Sequence, residues 1–118
     1  MEKEIYALNW STYQDAWSDV SAAERQALLG RAVAEECTFE SPGGAGRGLA
    51  QLAAHIEVFQ AQYPGASFKT HAMIAHHEQA LAEWMIYDQD GAECLSGKSY
   101  ARFGDDGRIR QLVGFWQA

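Results

Sequence analysis

Four long segments in the second half of the chain have the composition of β-strands and are joined by short turns. The predicted strands are Ser67–His77, Gln79–Tyr87, Cys94–Phe103 and Ile109–Trp116. Two of the turns contain the pairs Asp90-Gly91 and Asp106-Gly107, and Asp-Gly is among the strongest short hairpin signals. Consecutive strands joined by tight turns form an antiparallel meander. This segment therefore excludes a helical bundle and a purely parallel sheet.

The first half of the chain predicts three helices and one short strand. The expected elements are a first helix from about Lys3 to Ser18, a second beginning after Ser21, a strand over Glu36–Glu40 and a third helix from about Leu49 to Tyr63. Ser21 and Glu24 fit a capping box at the start of the second helix. The segment from Gly43 to Gly48 is rich in glycine, and we expect it to be a mobile lip of a pocket.

Apolar residues at helical spacing indicate which side chains the helices bury. The stripe of the first helix is Ile5, Leu8, Thr12, Ala16 and Val20; that of the second is Leu28, Leu29, Ala32 and Val33; that of the third is Leu49, Leu52, Ala53, Ile56 and Phe59. A long aromatic sheet twists and curves, and helices laid across it tend to leave a hollow. The prediction is an α+β fold, with a curved antiparallel sheet against three N-terminal helices, cone-shaped with an interior pocket.

Bulk composition limits the classes of function. With 118 residues we expect one domain over residues 1–118, and a hydrophobic fraction of 47% argues against disorder. A formal charge of −7 disfavours binding to nucleic acid or to an anionic membrane. Cys37 and Cys94 make no disulfide framework, and the charged N-terminus lacks a signal core. We expect a cytoplasmic protein with free thiols.

Several short motifs along the chain resemble those of one family. They are Trp17-Ser18-Asp19, Glu40-Ser41-Pro42, the segment from Gly48 through Phe59, Trp84, Gly97, the run from Phe103 to Ile109, and Gly114-Phe115. Together they resemble the SnoaL-like branch of the nuclear transport factor 2-like superfamily. The resemblance implies a small α+β cone, often dimeric. Its members include ketosteroid isomerases, polyketide cyclases, dehydratases and epoxide hydrolases.

Comparison with ketosteroid isomerases shows which of their groups this chain lacks. Those enzymes use a tyrosine on helix 1, a carboxylate base just before a proline, and a protonated aspartate as oxyanion donor. The tyrosine position is matched by Tyr13, but the base position is Ser41 and the acid position is Ser99. A serine hydroxyl takes no carbon-bound proton without an activating base. Ketosteroid-type isomerisation and aldol-type cyclisation by the residue at 99 are therefore disfavoured.

Tyr13 and His55 are the predicted catalytic residues. His55 lies between Leu52 and Phe59 on the third helix, and an imidazole titrates near neutral pH, which suits a general base or acid. Tyr13 offers a hydrogen bond to a developing oxyanion. The alternatives are a solvated histidine at a helix edge and a core tyrosine.

The predicted substrate-binding residues are Phe39, Ser41, Ile56, Phe59, Trp84, Ser99 and Phe103. For the two serines the alternatives are a turn residue at 41 and a small packing residue at 99, and Phe39 and Trp84 also suit a core. Alternation along the strand turns Glu40 outward or to the rim. The chain has neither the dinucleotide glycine pattern nor a P-loop, and we expect no cofactor.

A metal site is not expected. His71, His76, His77 and Glu78 suggest one, but neighbouring strand residues point to opposite faces, so the histidine pair should not share an ion. The pair more readily occupies a strand end or turn.

The outer face of the sheet is a predicted homodimer interface. Both faces of the strand Gln79–Tyr87 are apolar, and helices cover only one of them. The candidates for the outer face are Leu81, Met85, Tyr87, Tyr100 and Trp116.

Three functions remain open. The first is an enzyme acting by acid–base chemistry on a small, largely apolar molecule through cyclisation, isomerisation, dehydration or hydrolysis. The second is a binding protein that holds a hydrophobic metabolite unchanged. The third is an interaction protein that uses the outer sheet face for a different chain.

Overall fold

Three α-helices and six β-strands form the part of the chain that the computed structural model describes, which is the backbone of residues 2–117 and the side chains of residues 4–117. In chain order they are α1 (Glu2–Ala16), α2 (Ala22–Ala32), β1 (Val33–Ser41), β2 (Gly44–Arg47), α3 (Leu49–Gln62), β3 (Ser67–His76), β4 (Gln79–Tyr87), β5 (Glu93–Phe103) and β6 (Ile109–Phe115). The predicted α+β class is confirmed. Within these residues no helix is both long and apolar enough to cross a bilayer.

The six strands form one sheet in the order β2-β1-β6-β5-β4-β3. Strands β3 to β6 are the predicted antiparallel meander. The sheet is nevertheless mixed, because β1 runs parallel to β6. This pairing is possible because α3 and the meander separate the two strands in sequence, and parallel neighbours need such a long connection. Register shifts in four of the pairings are irregularities of the kind that bend strands.

Strand β2 was not predicted, and the glycine-rich segment is an edge strand instead of a mobile lip. It pairs antiparallel with β1, which places Gly46 opposite Phe39. A Cβ atom at Gly46 would lie 2.6 Å from the Phe39 ring, so the ring occupies the space left by the missing side chain. Glycine disfavours strands by itself. The pairing therefore depends on contacts that local sequence does not reveal.

Helix α1 buries a different stripe from the predicted one. Its buried residues are Tyr6, Trp10, Tyr13 and Ala16. Ile5 is 42% exposed and Leu8 is 63% exposed, and Thr12 and Val20 are only half-buried. Both sets have helical spacing, but aromatic rings bury more apolar area than Ile or Leu and so determine which face turns inward. The stripe prediction was wrong except at Ala16.

The connection between α1 and α2 is held by Arg25. Its guanidinium is buried and donates to the carbonyl oxygens of Ala16, Ser18 and Val20. At the start of α2, the Ser21 hydroxyl accepts from the Glu24 N–H at 3.1 Å, which confirms the predicted N-cap. The predicted stripe of α2 is also confirmed, since Leu28, Leu29, Ala32 and Val33 are all buried.

The interior is filled near the start of α1 and hollow near its end. Tyr6 stacks on Phe103 with ring centroids 4.3 Å apart, and both side chains are buried. Tyr13 and Trp17, one and two turns beyond Trp10, instead line an open cavity. The buried face of α3, which includes Leu52, closes the same cavity from the side.

Candidate functional site

A cavity of about 290 Å³ lies between α1, α3 and the inner face of the sheet. Its wall is mainly apolar and includes eight aromatic residues: Tyr13, Trp17, Phe39, Phe59, Tyr63, Phe68, Trp84 and Trp116. The polar residues in the wall are few: Glu40, Ser41, His55, Gln62 and Ser99. Small-molecule sites in proteins typically combine apolar walls with a few polar groups in this way.

Most of the predicted site residues meet in this cavity. The wall contains Tyr13, Phe39, Ser41, His55, Phe59, Trp84 and Ser99. Ile56 and Phe103 do not reach it and are fully buried in the core. Ile56 follows His55 on α3 and is rotated about 100° around the helix, while Phe103 packs under Tyr6. The prediction that these two side chains line the site was therefore wrong, since neither belongs to the cavity wall.

Tyr13 places a buried hydroxyl at the cavity wall. Burial raises the pKa of this phenol far above its usual value, so the group remains protonated at neutral pH. The protonated hydroxyl is therefore a hydrogen-bond donor in a largely apolar wall.

Trp17, missed as a site residue from the sequence, stands beside Tyr13. Their rings meet edge to face with centroids 6.3 Å apart. The indole N–H is buried and has no hydrogen-bond partner within the described residues. It lies near the Tyr13 hydroxyl, without the geometry of a hydrogen bond, and offsets part of the rise in that pKa. The sequence did hold a signal for this role: Trp17 follows Tyr13 by four residues, and side chains at that spacing lie side by side on a helix face.

His55 is half-buried and faces the cavity from α3. Its ring lies between Phe39, at a centroid distance of 5.2 Å, and Trp17, at 5.8 Å. Removal from water lowers the pKa of the imidazole. The ring is therefore neutral at pH 7 and carries a free lone pair, as a general base requires.

Ser99 faces the cavity from the sheet, where it accepts a hydrogen bond from Trp84. The Trp84 indole N–H donates to the Ser99 hydroxyl at 2.9 Å. Because a hydroxyl both donates and accepts, Ser99 retains its proton for a ligand. Trp84 reaches this position by lying over Gly97, where a Cβ atom would be 2.5 Å from the ring.

The Ser41 hydroxyl is engaged in the β1–β2 turn. It accepts from the Gly43 N–H at 3.2 Å and donates to the Gly44 carbonyl at 3.4 Å. This geometry favours the alternative reading of a turn serine. The preceding residue, Glu40, borders the cavity but is exposed and pairs with Val113 of β6, so its side chain lies on the outer face of the sheet, one of the two positions expected from alternation.

Trp116 was placed on the wrong face of the sheet by the sequence analysis. It lines the cavity and meets Trp84 edge to face at 5.8 Å. Strand β6 ends at Phe115, so strict alternation no longer applies at the next residue. The ring instead covers Gly114, where a Cβ atom would lie 2.9 Å away.

The two adjacent histidines occupy the end of β3 and the β3–β4 turn, as predicted, but the prediction that their rings point to opposite faces was wrong. His77 lies outside the strand with φ of 55°, and the Nδ1 atoms of His76 and His77 are 3.1 Å apart. The rings therefore converge instead of pointing to opposite faces. Among the described side chains, those of residues 4–117, there is no group of three or more placed to hold a metal ion.

Comparison with known proteins agrees with this architecture. The model of the SnoaL-like domain family matches residues 13–112. A proposed isomerase of the SnoaL-like family from Agrobacterium tumefaciens is 27% identical and has a TM-score of 0.89, over 98% of this chain and 99% of that one. No protein of curated function matches the chain.

More distant structures share the fold. A protein of unknown function with a cystatin-like fold from Methylobium petroleophilum is 21% identical, with a TM-score of 0.78 over 98% of this chain and 77% of that one. A proposed polyketide cyclase from Sinorhizobium meliloti is 16% identical, with a TM-score of 0.72 over 90% of this chain and 92% of that one. The family match, with these neighbours, supports an enzyme role at the level of the family. The chain belongs to the SnoaL-like family.

Proposed function

We propose that the protein is an enzyme of the SnoaL-like type that carries out acid–base chemistry on a small, largely apolar molecule in the cavity. One observation carries the proposal: a neutral imidazole and a protonated buried phenol share one aromatic cavity. The two groups have complementary roles. His55 accepts a proton at neutral pH, and Tyr13 donates a hydrogen bond without losing its proton.

A substrate with a carbonyl group illustrates the chemistry. His55 removes a proton from the carbon next to the carbonyl, and the electron pair moves onto the oxygen. The Tyr13 hydroxyl stabilises the resulting oxyanion, and Ser99 orients the substrate from the opposite wall. Return of the proton to another atom completes an isomerisation. Cyclisation, dehydration and hydrolysis use the same two groups on other bonds.

His55 takes the place of the carboxylate base in this proposal. The position before Pro42 carries Ser41, whose hydroxyl is engaged in the hairpin turn. Glu40 is the one acidic residue among the described residues that line the cavity, and its side chain lies on the outer face of the sheet beside Val113. An imidazole whose pKa is below 6.5 is a weaker base than an ordinary histidine, but it is available over a wider pH range.

The experiment begins with the ligand. Native mass spectrometry of the purified protein identifies any molecule that remains bound, and fresh protein is then incubated with that molecule. We expect conversion to a product by the wild type and a loss of about tenfold to several hundredfold in His55→Gln and in Tyr13→Phe. Full activity of both variants on an identified substrate would overturn the assignment.

The second candidate is a binding protein for a hydrophobic metabolite. One observation favours this candidate: Ser41 and Ser99 stand at the two positions where the resemblance implies a carboxylate. A bound molecule recovered unchanged after long incubation with the wild type would support this candidate over an enzyme.

We further propose a homodimer through the outer sheet face. Ile74, Leu81, Tyr100 and Val113 are successive cross-strand neighbours and form an apolar row across β3 to β6. Ile74 is 70% exposed and Leu81 is 40% exposed, which is unusual for side chains of this kind in adjacent positions. Sedimentation should give a dimer that Leu81→Glu converts to a monomer, with Leu8→Glu, at an exposed position on α1, as the control. A monomeric wild type at micromolar concentration would exclude the interface.

A further inference from the structure

The indole N–H of Trp17 is a buried donor that the fold leaves without a partner. Within the side chains that the structure describes, no other buried nitrogen or oxygen lacks a hydrogen-bond partner. Such groups are rare in native proteins, because leaving one unpaired costs free energy. Two other indoles of the chain show the ordinary case: Trp10 donates to Thr70 at 2.8 Å, and Trp84 donates to Ser99 at 2.9 Å.

Trp17 lies between the two groups that are proposed to carry out the chemistry. Its ring meets the ring of Tyr13 edge to face at a centroid distance of 6.3 Å, and that of His55 at 5.8 Å. Its backbone is also fixed, because the Gln60 amide donates to the Trp17 carbonyl at 2.7 Å and to the Ala66 carbonyl at 2.9 Å. The Trp17 ring therefore has a defined position in the cavity wall, beside both groups.

The Tyr13 hydroxyl is the acceptor beside this N–H. Burial raises the pKa of the Tyr13 phenol, and the nearby Trp17 N–H offsets part of that rise. The geometry of a hydrogen bond is not reached, so a small movement of either ring is needed to form one. Because a hydroxyl donates one hydrogen bond and also accepts, Tyr13 can accept from Trp17 while it donates to a ligand. The two bonds favour each other, since neighbouring hydrogen bonds polarise one another.

We propose that Trp17 is a positioning residue for Tyr13, and that its indole N–H completes a hydrogen bond to the phenol oxygen when Tyr13 donates to an oxygen atom of the ligand. This inference rests on the proposed function, because it takes the Tyr13 hydroxyl as the donor to the substrate. It also narrows the substrate class. The ligand carries an acceptor oxygen that lies against α1, as a ketone, ester or quinone can, and a hydrocarbon of the same shape leaves the N–H unpaired.

Two ligands of the same shape separate the effect of the oxygen from that of filling the cavity. Acetylnaphthalene has a carbonyl oxygen, and isopropenylnaphthalene, substituted at the same ring position, has a CH₂ group in its place. Each is titrated to saturation into ¹⁵N-labelled protein, and the four indole N–H resonances, assigned through the backbone, are followed by NMR. Trp10 is the internal control, because its N–H is engaged with Thr70 and it is not part of the cavity wall.

Acetylnaphthalene should move the Trp17 resonance of the wild type downfield, as the formation of an N–H···O hydrogen bond does, and isopropenylnaphthalene should not. Ring-current shifts are common to the two ligands and cancel in this comparison. In Tyr13→Phe, the two ligands should give the same Trp17 resonance, because the phenol oxygen that accepts the bond is absent. The Trp10 resonance should respond alike to both ligands.

The affinities should show the same coupling between Trp17 and Tyr13. In Trp17→Phe, the affinity for acetylnaphthalene should fall about twofold to tenfold relative to that for isopropenylnaphthalene, as expected for the loss of one neutral hydrogen bond. The hydrocarbon accounts for the change in the shape of the side chain. When Tyr13→Phe is already present, Trp17→Phe should leave the ratio of the two affinities unchanged.

Two kinds of result would overturn the inference, and they are distinguishable. A Trp17 resonance that responds equally to both ligands in the wild type, or a downfield shift that persists in Tyr13→Phe, would remove the role of Trp17 and leave the proposed cavity chemistry standing. Failure of the wild type to bind either ligand would overturn the cavity as a binding site, and with it both the proposed function and this inference.

Discussion

The indole ring of Trp84 occupies the space that a side chain on Gly97, its cross-strand partner on β5, would need. A Cβ atom at Gly97 would lie 2.5 Å from the ring and 2.7 Å from the Phe115 carbonyl oxygen. The absence of a side chain at Gly97 lets the Trp84 N–H reach Ser99 at 2.9 Å. A glycine in the middle of a strand thus determines where a polar group of the cavity lies.

Replacing Gly97 by alanine should therefore displace Trp84 and disturb the cavity. We expect the free energy of unfolding to fall by about 1–3 kcal/mol, as it does when other protein cores are overpacked. Binding of the uncharged fluorescent probe N-phenyl-naphthylamine in the cavity should also weaken. Chemical denaturation and fluorescence titration measure the two effects.

The matched control is Gly30→Ala in helix α2. A Cβ atom at Gly30 meets nothing within 4 Å, and alanine is favoured over glycine in a helix by about 0.5–1 kcal/mol. This variant should be more stable than the wild type and should bind the probe equally well. If Gly97→Ala behaved in the same way, the account of Trp84 would be wrong.

Tyr13→Phe should separate function from stability. The indole N–H of Trp17 lies beside the hydroxyl, and the loss of one such neutral contact should change the free energy of unfolding by no more than about 1 kcal/mol. Activity on the identified substrate should fall by about 10²-fold, the usual loss for an oxyanion donor. A large loss of stability with unchanged activity would instead identify Tyr13 as a structural residue.

The pH dependence of activity should follow the lowered pKa of His55. The folded protein holds this proton less tightly than an ordinary histidine of pKa 6.5 does. At pH 6.5 more than half of the folded molecules therefore hold His55 in the base form, and the rate should reach half of its high-pH plateau only below pH 6.5. A rate that is already half-lost at or above pH 6.5 would contradict this assignment.

The lowered pKa of His55 also makes the stability of the fold depend on pH. Between pH 6.5 and the lower pKa of the folded state, the unfolded chain binds more protons at His55 than the folded chain does. Stability should therefore decrease as the pH falls through this interval and gain nothing from His55 as the pH rises above it. In His55→Gln, this pH-dependent part of the free energy of unfolding should be absent. Denaturation curves of the variant and the wild type, measured across the pH range and compared, would detect its loss.

Arg25 should be a major contributor to stability although it lies outside the cavity. Its guanidinium satisfies three carbonyl oxygens of the α1–α2 connection and is only 5% exposed. Arg25→Ala should cost about 2–4 kcal/mol, since buried carbonyl groups lose their donors. Arg25→Lys should recover only part of this loss because an ammonium lacks the planar fork.

The ion pair of Arg25 with Glu57 should matter much less. The two charges are 3.8 Å apart and Glu57 is half exposed, so Glu57→Gln should change stability by no more than about 0.5 kcal/mol. If the losses in Arg25→Ala and Glu57→Gln were equal, the carbonyl contacts would not be the source of the effect.

The strands of the meander were predictable because their limits are set locally. Asp-Gly turns and runs of β-forming residues fix where β3 to β6 begin and end, and the observed limits differ from the predicted ones by one residue at most. The N-cap at Ser21 was predictable for the same reason, since Ser21 and Glu24 are three residues apart.

The features that could not be predicted depend on contacts between distant segments. In α1, two apolar stripes have equal spacing, and only the sheet decides that Tyr6 and Trp10 turn inward while Leu8 remains exposed. In β2, the Phe39 ring fills the space beside Gly46, a contact between strands that the glycine-rich sequence does not reveal. The unpaired N–H of Trp17 has no signature in sequence at all. Seven predicted residues nevertheless line the cavity, because alternation along strands and helical spacing place side chains on faces.

The central claim is that His55 and Tyr13 move protons on a molecule held in the cavity. Deuterium incorporation into β-tetralone, a flat uncharged ketone with acidic hydrogens beside its carbonyl, tests it without knowledge of the natural substrate. In D₂O, NMR should show exchange that is faster with the wild type than in buffer, saturates with ketone, and falls about 10²-fold in His55→Gln and in Tyr13→Phe. Ketone that binds to the wild type but exchanges no faster than in buffer would contradict the claim and favour a protein that only binds its ligand.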